Sequence, residues 1–390
     1  MTPEIDLTDP KVLTDPFTAY DRAREEGAVA SLAIPGFAPF WAVTRYAEAR
    51  ALLTDPRFEV RSESFLRPPG IPEHCLEYLR TMSEQDGPEH LRLRRLAAPA
   101  FTPKRAAQLR PRLAAIAGRL LDELPGHAED GVVDLVPHFA RPLPIDVICE
   151  LVGIPAADRP RWREYGAAVA GGAGPDFVAA IPAIIEGARE AVARSRAEPG
   201  DDLIGDLVQA QDDDRLTDTE LVTLVWHLVL AGQTPVNLIA NAVETLLRHP
   251  DQLALLRAEP SRWPGAVEEL MRFCSPQLLT TPRFAAEDVE IGGQLIRAGE
   301  RVTVAMVAAD RDPRAFTDPD RFDITRPGPP QLGFSHGPHF CLGASIARVQ
   351  TEVALSALFA RFPDLALATE DVPRAPDGGT WRPAALPLTL

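Results

Sequence analysis

The segment GFSHGPHFCLGASIARVQ, Gly333 to Gln350, holds the residue types with the widest chemical reach in the chain. A loop punctuated by glycine and proline delivers Cys341 to the start of an amphipathic helix. Free N–H groups and the positive end of the helix dipole favour a thiolate there. Such a sulfur suits a nucleophile, a redox thiol or a metal ligand. His336 and His339 stand close by, but there is no CxxC or HxxxH spacing, and His339 with Cys341 is too tight for ordinary zinc chelation.

A second stretch is unusual for its backbone. Thr217 with Glu220 has the capping-box form, and apolar residues recur at helical spacing from Leu221 to Leu247, until His249 and Pro250 end the pattern. This predicts one helix of roughly 30 residues, about 45 Å long. Inside it lies LAGQTPVNLIAN, Leu230 to Asn241. Pro235 lacks the N–H that would reach the carbonyl of Ala231, at about 3 kcal/mol or more, and Gly232 adds about 1. The helix must kink or open near Ala231, either as a packing kink or to make room for a ligand.

The remaining elements are simpler. AVASLAIPGFAPFWAVTRY reads as a hairpin of two short strands followed by a helix at Tyr46 to Leu53. From about Pro88 to Leu270 the periodicity is mostly helical, broken by loops such as GGAGPD at Gly171 to Asp176. Strand patterns return in RFAAEDVEIGGQLIRAGERVTVAMVAA, with Gly292 and Gly293 at a tight turn. A further helix follows Cys341. The expectation is a mainly α fold with a smaller β region (α+β), as a single domain over residues 1–390.

Composition narrows the function. The net charge of −16 argues against nucleic acid as a partner. One block departs from it: Leu91 to Leu121 carries Arg92, Arg94, Arg95, Lys104, Arg105, Arg110, Arg112 and Arg119 and no acid. It is either a docking face for a negative partner or a solvated helical face. Cys75, Cys149, Cys274 and Cys341 show no paired spacing, which fits a reducing cytoplasm. The N-terminal residues have no apolar run or basic n-region, and no uninterrupted apolar run approaches 18 residues, so neither a signal peptide nor a membrane span is expected.

On these residues the chain resembles the cytochromes P450. Phe334, Gly337, Cys341 and Gly343 match the family's FxxGxxxCxG haem-binding signature. The resemblance implies Cys341 as the axial, iron-binding ligand of haem b (iron protoporphyrin IX), pushing electron density onto iron and favouring O–O cleavage. It implies Gly337 to let the loop turn, Gly343 to let the porphyrin approach, Phe334 to shield the sulfur, and a P450 fold with a long central helix across the haem. Glu269 and Arg272 in VEELMRF match the ExxR motif, and Arg321 in DPDRFD looks like its third member, a structural triad. His90 and Arg94, together with Arg283 and His339, match positions that meet the haem propionates, where buried carboxylates need charge-assisted partners. The likeness runs from about Thr14 to the C-terminus.

A short chain of this kind resembles the bacterial class that takes electrons from separate redox proteins. A ferredoxin-type donor is expected at the basic face of Arg92, Arg95, Lys104, Arg105, Arg110 and Arg112. By analogy, the substrate pocket is lined by residues 58–83, 160–194, the turn Leu278 to Thr281 and the tail near Trp381.

One departure concerns the oxygen site, expected at Ala231, Gly232, Gln233 and Thr234. The family's Ala-Gly-x-Glu/Asp-Thr-Thr has no counterpart for its acid here, and Pro235 follows Thr234. Either Thr234 supplies the hydroxyl, or it occupies the acid's place with Pro235 where the alcohol belongs. Protons would then come through water, through Gln233 and Thr234, or from the substrate. Hydroxylation of a small molecule or peptide natural product is the expected activity. The alternatives are oxidative coupling of aromatic groups and a haem sensor without turnover.

Overall fold

The computed structural model describes residues 2–65, 67–170, 174–213 and 215–390; Gly171 to Ala173 of the expected GGAGPD loop lie outside them. Strand Val29–Ala33 pairs antiparallel with Phe40–Val43, placing Val29 opposite Val43, and helix Tyr46–Thr54 follows, as the sequence pattern predicts. These two strands belong to a six-stranded sheet. Glu4–Asp6 lies parallel on one side of the hairpin; on the other, Arg301–Val304 runs parallel to Phe40–Val43, then Arg283–Ala285 and Phe58–Glu59 pair antiparallel. Val289–Ile291 and Gln294–Ile296 form a separate hairpin whose turn places Gly292 and Gly293 at φ +55° and +85°.

The rest is mainly helical. The capping box forms: Thr217 Oγ1 accepts from Glu220 N at 3.2 Å and Glu220 Oε2 from Thr217 N at 2.9 Å. Two helices, Asp218–Ala231 and Pro235–Arg248, stand where one long helix was expected. Gly232 N still reaches Leu228 O at 3.0 Å. Gln233, Thr234, Val236 and Asn237 then donate three residues back instead of four, so the ladder tightens and Gly232 O drops out of it. Pro235 thereby becomes the first residue of a new helix, where its missing N–H is harmless.

By length and composition the 31-residue stretch Asp218–Arg248 could cross a membrane. Here it is core, packed against helices Pro142–Val152, Pro175–Ala197 and Ala344–Arg361. A second apolar cluster lies on the sheet around Val43, Phe58 and Val302. Between helices and sheet sits a small group of Leu238, Met271, Phe334, Ala344 and Ala347.

Candidate functional site

Cys341 lies on the floor of a two-lobed cavity of about 330 and 560 Å³. The first lobe is lined by helix residues, among them Leu228, Ala231, Thr234 and Leu238. The second is lined from the sheet side by Leu279 to Arg283 and Thr303. Ser83, Gln277, Gly333, Phe334, His339 and Cys341 border both.

The loop reaches this position through two enforced bends. Ser335 and Gly337 take φ +62° and +74°, and a Cβ on Gly337 would stand 2.6 Å from Leu53 O, so glycine is required. Cys341 N–H then closes the loop on Phe334 O at 2.8 Å. Gly343 is different: a Cβ there would meet only Cys341 Sγ, at 4.0 Å, so its hydrogen keeps the approach to sulfur open. Phe334 is buried, with the Arg348 guanidinium 4.6 Å from its ring centre.

Cys341 is exposed toward the cavity while protein atoms surround its sulfur. Burial pushes the thiol up; N–H groups of Gly343 and Ala344 and the charges of Arg94 and Arg348 pull the other way. Those four groups would stabilise a thiolate once a cation sits against it.

Basic side chains line the rim of the cavity. His90 is buried between Met82 O (3.0 Å) and Pro338 O (3.2 Å), with its ring 4.1 Å from that of His339. Arg94 donates to Phe340 O at 2.6 Å, and Arg283 to Leu53 O at 3.1 Å. His339 Nε2 lies 3.2 Å from Asp86 Oδ1. Burial lowers the pKa of His90, Arg94 and Arg283. Asp86 is also partly buried, but hydrogen bonds from His339, Val60 N and Gly87 N outweigh that and hold its carboxyl well below the usual range. One carboxylate thus stands beside His339 and acts on Arg283 within a set of four basic side chains, a donor set that would accept two further buried carboxylates. With Cys341 on the floor and apolar walls, the residues present fit a haem.

Other expected residues are placed as follows. Ala231, Gly232, Thr234 and Pro235 all border the first lobe. A Cβ on Gly232 would stand 2.3 Å from Ile148, so that glycine also serves close packing of the broken helix on Pro142–Val152. The Gln233 carboxamide does not border the cavity: it fills the notch at Gly166 on helix Arg159–Ala170, where a Cβ would stand 2.1 Å from its Oε1. Glu269 and Arg272 form a bidentate buried pair at 2.7 and 2.8 Å. The third member is not Arg321, whose side chain is 68% exposed and 3.8 Å from Asp323, but Arg326, 8% exposed with Nε 3.1 Å from Glu269 Oε1. Arg326 also donates to the carbonyls of Thr317, Asp318 and Arg321, so the loop folds its carbonyls around it.

Two further expectations change. Among the described residues none from 160–194 borders the cavity and Val147 and Ile148 stand there instead, whereas the tail near Trp381 does border it, through Gly379 and Thr380. The basic block meets acids from elsewhere: Arg92 pairs with Glu89 and Glu220, Arg110 with Glu352 at 2.7 Å, Arg112 with Glu150 at 3.1 Å and Arg119 with Asp146 at 2.8 Å. Among the described residues only Arg95, Lys104 and Arg105 of the expected face have no carboxylate within 4 Å. Ser83 borders the cavity at the end of the expected 58–83 stretch, whereas sequence reasoning missed Arg326, Asp86 and His227. Only His227 left a trace, as a lone imidazole one helical turn before Ala231 in an apolar helix.

A family model described as Cytochrome P450 matches residues 176–383. The chain is 41% identical to 6-deoxyerythronolide B hydroxylase of Saccharopolyspora erythraea, over 99% of this chain and 97% of that protein. It superposes on the tirandamycin C-bound P450 monooxygenase TamI with a TM-score of 0.87, 36% identity and full coverage of both chains. With CxnD, a cytochrome P450 enzyme for C–S bond formation in chuangxinmycin biosynthesis, the TM-score is 0.88 at 32% identity, covering 100% of this chain and 98% of that one.

Proposed function

The chain belongs to the cytochrome P450 family and is a monooxygenase of that family, and from this premise we propose that it hydroxylates a small natural product, using haem b ligated by Cys341. The observation that carries the proposal is the cavity itself, with a cysteine sulfur on its floor and four basic side chains, His90, Arg94, Arg283 and His339, on its rim. When bound, the haem iron supplies the activation of dioxygen with electrons delivered from outside.

The chain's own residues do the rest. His90, Arg94, Arg283 and His339 hold the propionates, Gly343 leaves the sulfur accessible, and Phe334 with Leu238 and Ala347 keeps water from it. Thr234 offers the one hydroxyl at the helix break, so Thr234 Oγ1 holds a proton that it passes on and regains through water or from the substrate. The Gln233 carboxamide, set against Gly166, takes no part in that route.

The whole chain, residues 1–390, acts as one domain in the cytoplasm, where its four cysteines stay as thiols. A ferredoxin-type donor docks at Arg95, Lys104 and Arg105, the part of the basic face not neutralised internally.

A second reading, oxidative coupling without oxygen insertion, draws on the absence of an acid from Ala231 to Pro235 and on the structural likeness to an enzyme of C–S bond formation. The first test is the carbon monoxide spectrum of the ferrous protein. A red-shifted Soret band lost in Cys341→His supports the assignment, and an unshifted band in the unmodified protein refutes it. Product mass then separates the readings: gain of one oxygen marks hydroxylation, loss of two hydrogens marks coupling.

A further inference from the structure

Ser83 and His227 meet inside the cavity although 144 residues separate them, with Ser83 Oγ 3.2 Å from His227 Nε2. Both border the first lobe, and Ser83 also borders the second. His227 precedes Ala231 by four residues, so it shares the helix face that carries the break.

Nδ1 of His227 is buried with no hydrogen-bond partner among the described residues. Burial pulls the imidazole down to about 4, so the ring is neutral near pH 7. A neutral ring carries one proton, and Nδ1 has no acceptor for it. The proton therefore resides on Nε2 and is donated to Ser83 Oγ. The Ser83 hydroxyl proton is then left over, since Ser83 Oγ makes no second hydrogen bond among the described residues. The arrangement does not serve proton uptake from bulk water, because Nδ1 is a dead end and the neutral ring resists protonation.

We propose that Ser83, oriented by His227, donates a hydrogen bond to an acceptor oxygen of the substrate, so that the enzyme selects an otherwise apolar molecule bearing a carbonyl or ether oxygen. The neighbouring wall of Met82, Val147, Ile148, Leu228 and Leu238 offers only apolar side-chain surface, so on this side of the cavity the Ser83 hydroxyl is the group that sets how the substrate turns. Ser83 is the binding residue and His227 the positioning residue. The inference rests on the haem-thiolate reading of the cavity.

The test uses the haem-loaded protein and two probes of one shape, cyclodecanone and cyclodecane, titrated by the spin-state change of the Soret band. The ketone is expected to bind roughly five- to tenfold more tightly, the worth of one hydrogen bond. Ser83→Ala brings that ratio close to one while the hydrocarbon's affinity stays within about twofold. His227→Leu lowers the ratio, and His227→Gln, whose amide N–H can replace Nε2–H, restores part of it. An unchanged ratio in Ser83→Ala, or no preference in the unmodified protein, overturns the proposal. Each variant's ferrous carbon monoxide spectrum is recorded first. A missing thiolate band in the unmodified protein defeats the reading of the cavity and this inference with it, whereas an intact band with an unchanged ratio defeats only the role of Ser83.

Discussion

Replacing Arg326 by leucine tests which arginine completes the buried charge cluster. The Arg326 side chain is 8% exposed; its Nε lies 3.1 Å from Glu269 Oε1 and its guanidinium caps three loop carbonyls. Breaking a buried pair costs roughly 3–5 kcal/mol. Glu269 would keep both bonds from Arg272, so its charge is not abandoned, and about 3 kcal/mol is expected. At about 2.1 cal/mol/K per residue, the 390-residue chain has an unfolding entropy on the order of 0.8 kcal/mol/K, so the melting temperature should fall by about 4 °C. Arg321→Leu, which removes an exposed group 3.8 Å from Asp323, should cost under about 0.5 kcal/mol, less than 1 °C. The measurement is thermal unfolding of both variants at one scan rate, since unfolding of a cofactor protein of this size is a kinetic readout. Equal losses, or a larger loss for Arg321→Leu, would refute the assignment.

Gly337→Ala should destabilise the Cys341 loop by about 1–3 kcal/mol, because φ is +74° and the new methyl meets Leu53 O; haem content at equilibrium checks it, and full retention would sink the reading. His227 sets a pH dependence. Its folded pKa, about 4, lies below the ordinary value of 6.5, so the unfolded chain binds the proton first; stability is intact above about pH 6.5 and falls as pH drops toward 4. Melting temperature against pH should flatten in His227→Leu over that window, by at most about 1.4 kcal/mol per pH unit. Arg105→Glu should slow reduction by a ferredoxin more at low salt than at high salt, and more than Arg92→Glu does, since Arg92 is already held by Glu89 and Glu220. Stopped-flow reduction rates equal for the two variants would contradict the docking face.

The sequence was most informative where one residue type can meet a local demand. The Val29–Val43 hairpin, the Gly292–Gly293 turn, the Thr217–Glu220 cap and the break before Pro235 all form as read, because each depends on neighbours within a few residues. Cys341 also falls where its loop pattern puts it. What stayed hidden depends on partners far along the chain. Arg321 and Arg326 lie five residues apart in one loop, and which of them turns inward is set by how Thr317, Asp318 and Arg321 present their carbonyls. Gln233 was read by its place in a motif, but the switch to three-residue hydrogen bonding alters the phase of the helix and turns it to Gly166. Val147 and Ile148 carry no motif at all, and Ile148 packs directly on Gly232, a contact between distant segments that no local pattern announces.

The pairing of the basic segment also has an order in time. Arg110 is joined to Glu352, 242 residues later, and Arg92 to Glu220, 128 residues later. At about 5–20 residues per second, a ribosome needs roughly 12 to 50 s to bring Glu352 into existence after Arg110. The basic segment is therefore neutralised in steps, Arg112 by Glu150 and Arg119 by Asp146 soon after they emerge, Arg92 later by Glu220, and Arg110 last, by the C-terminal helix.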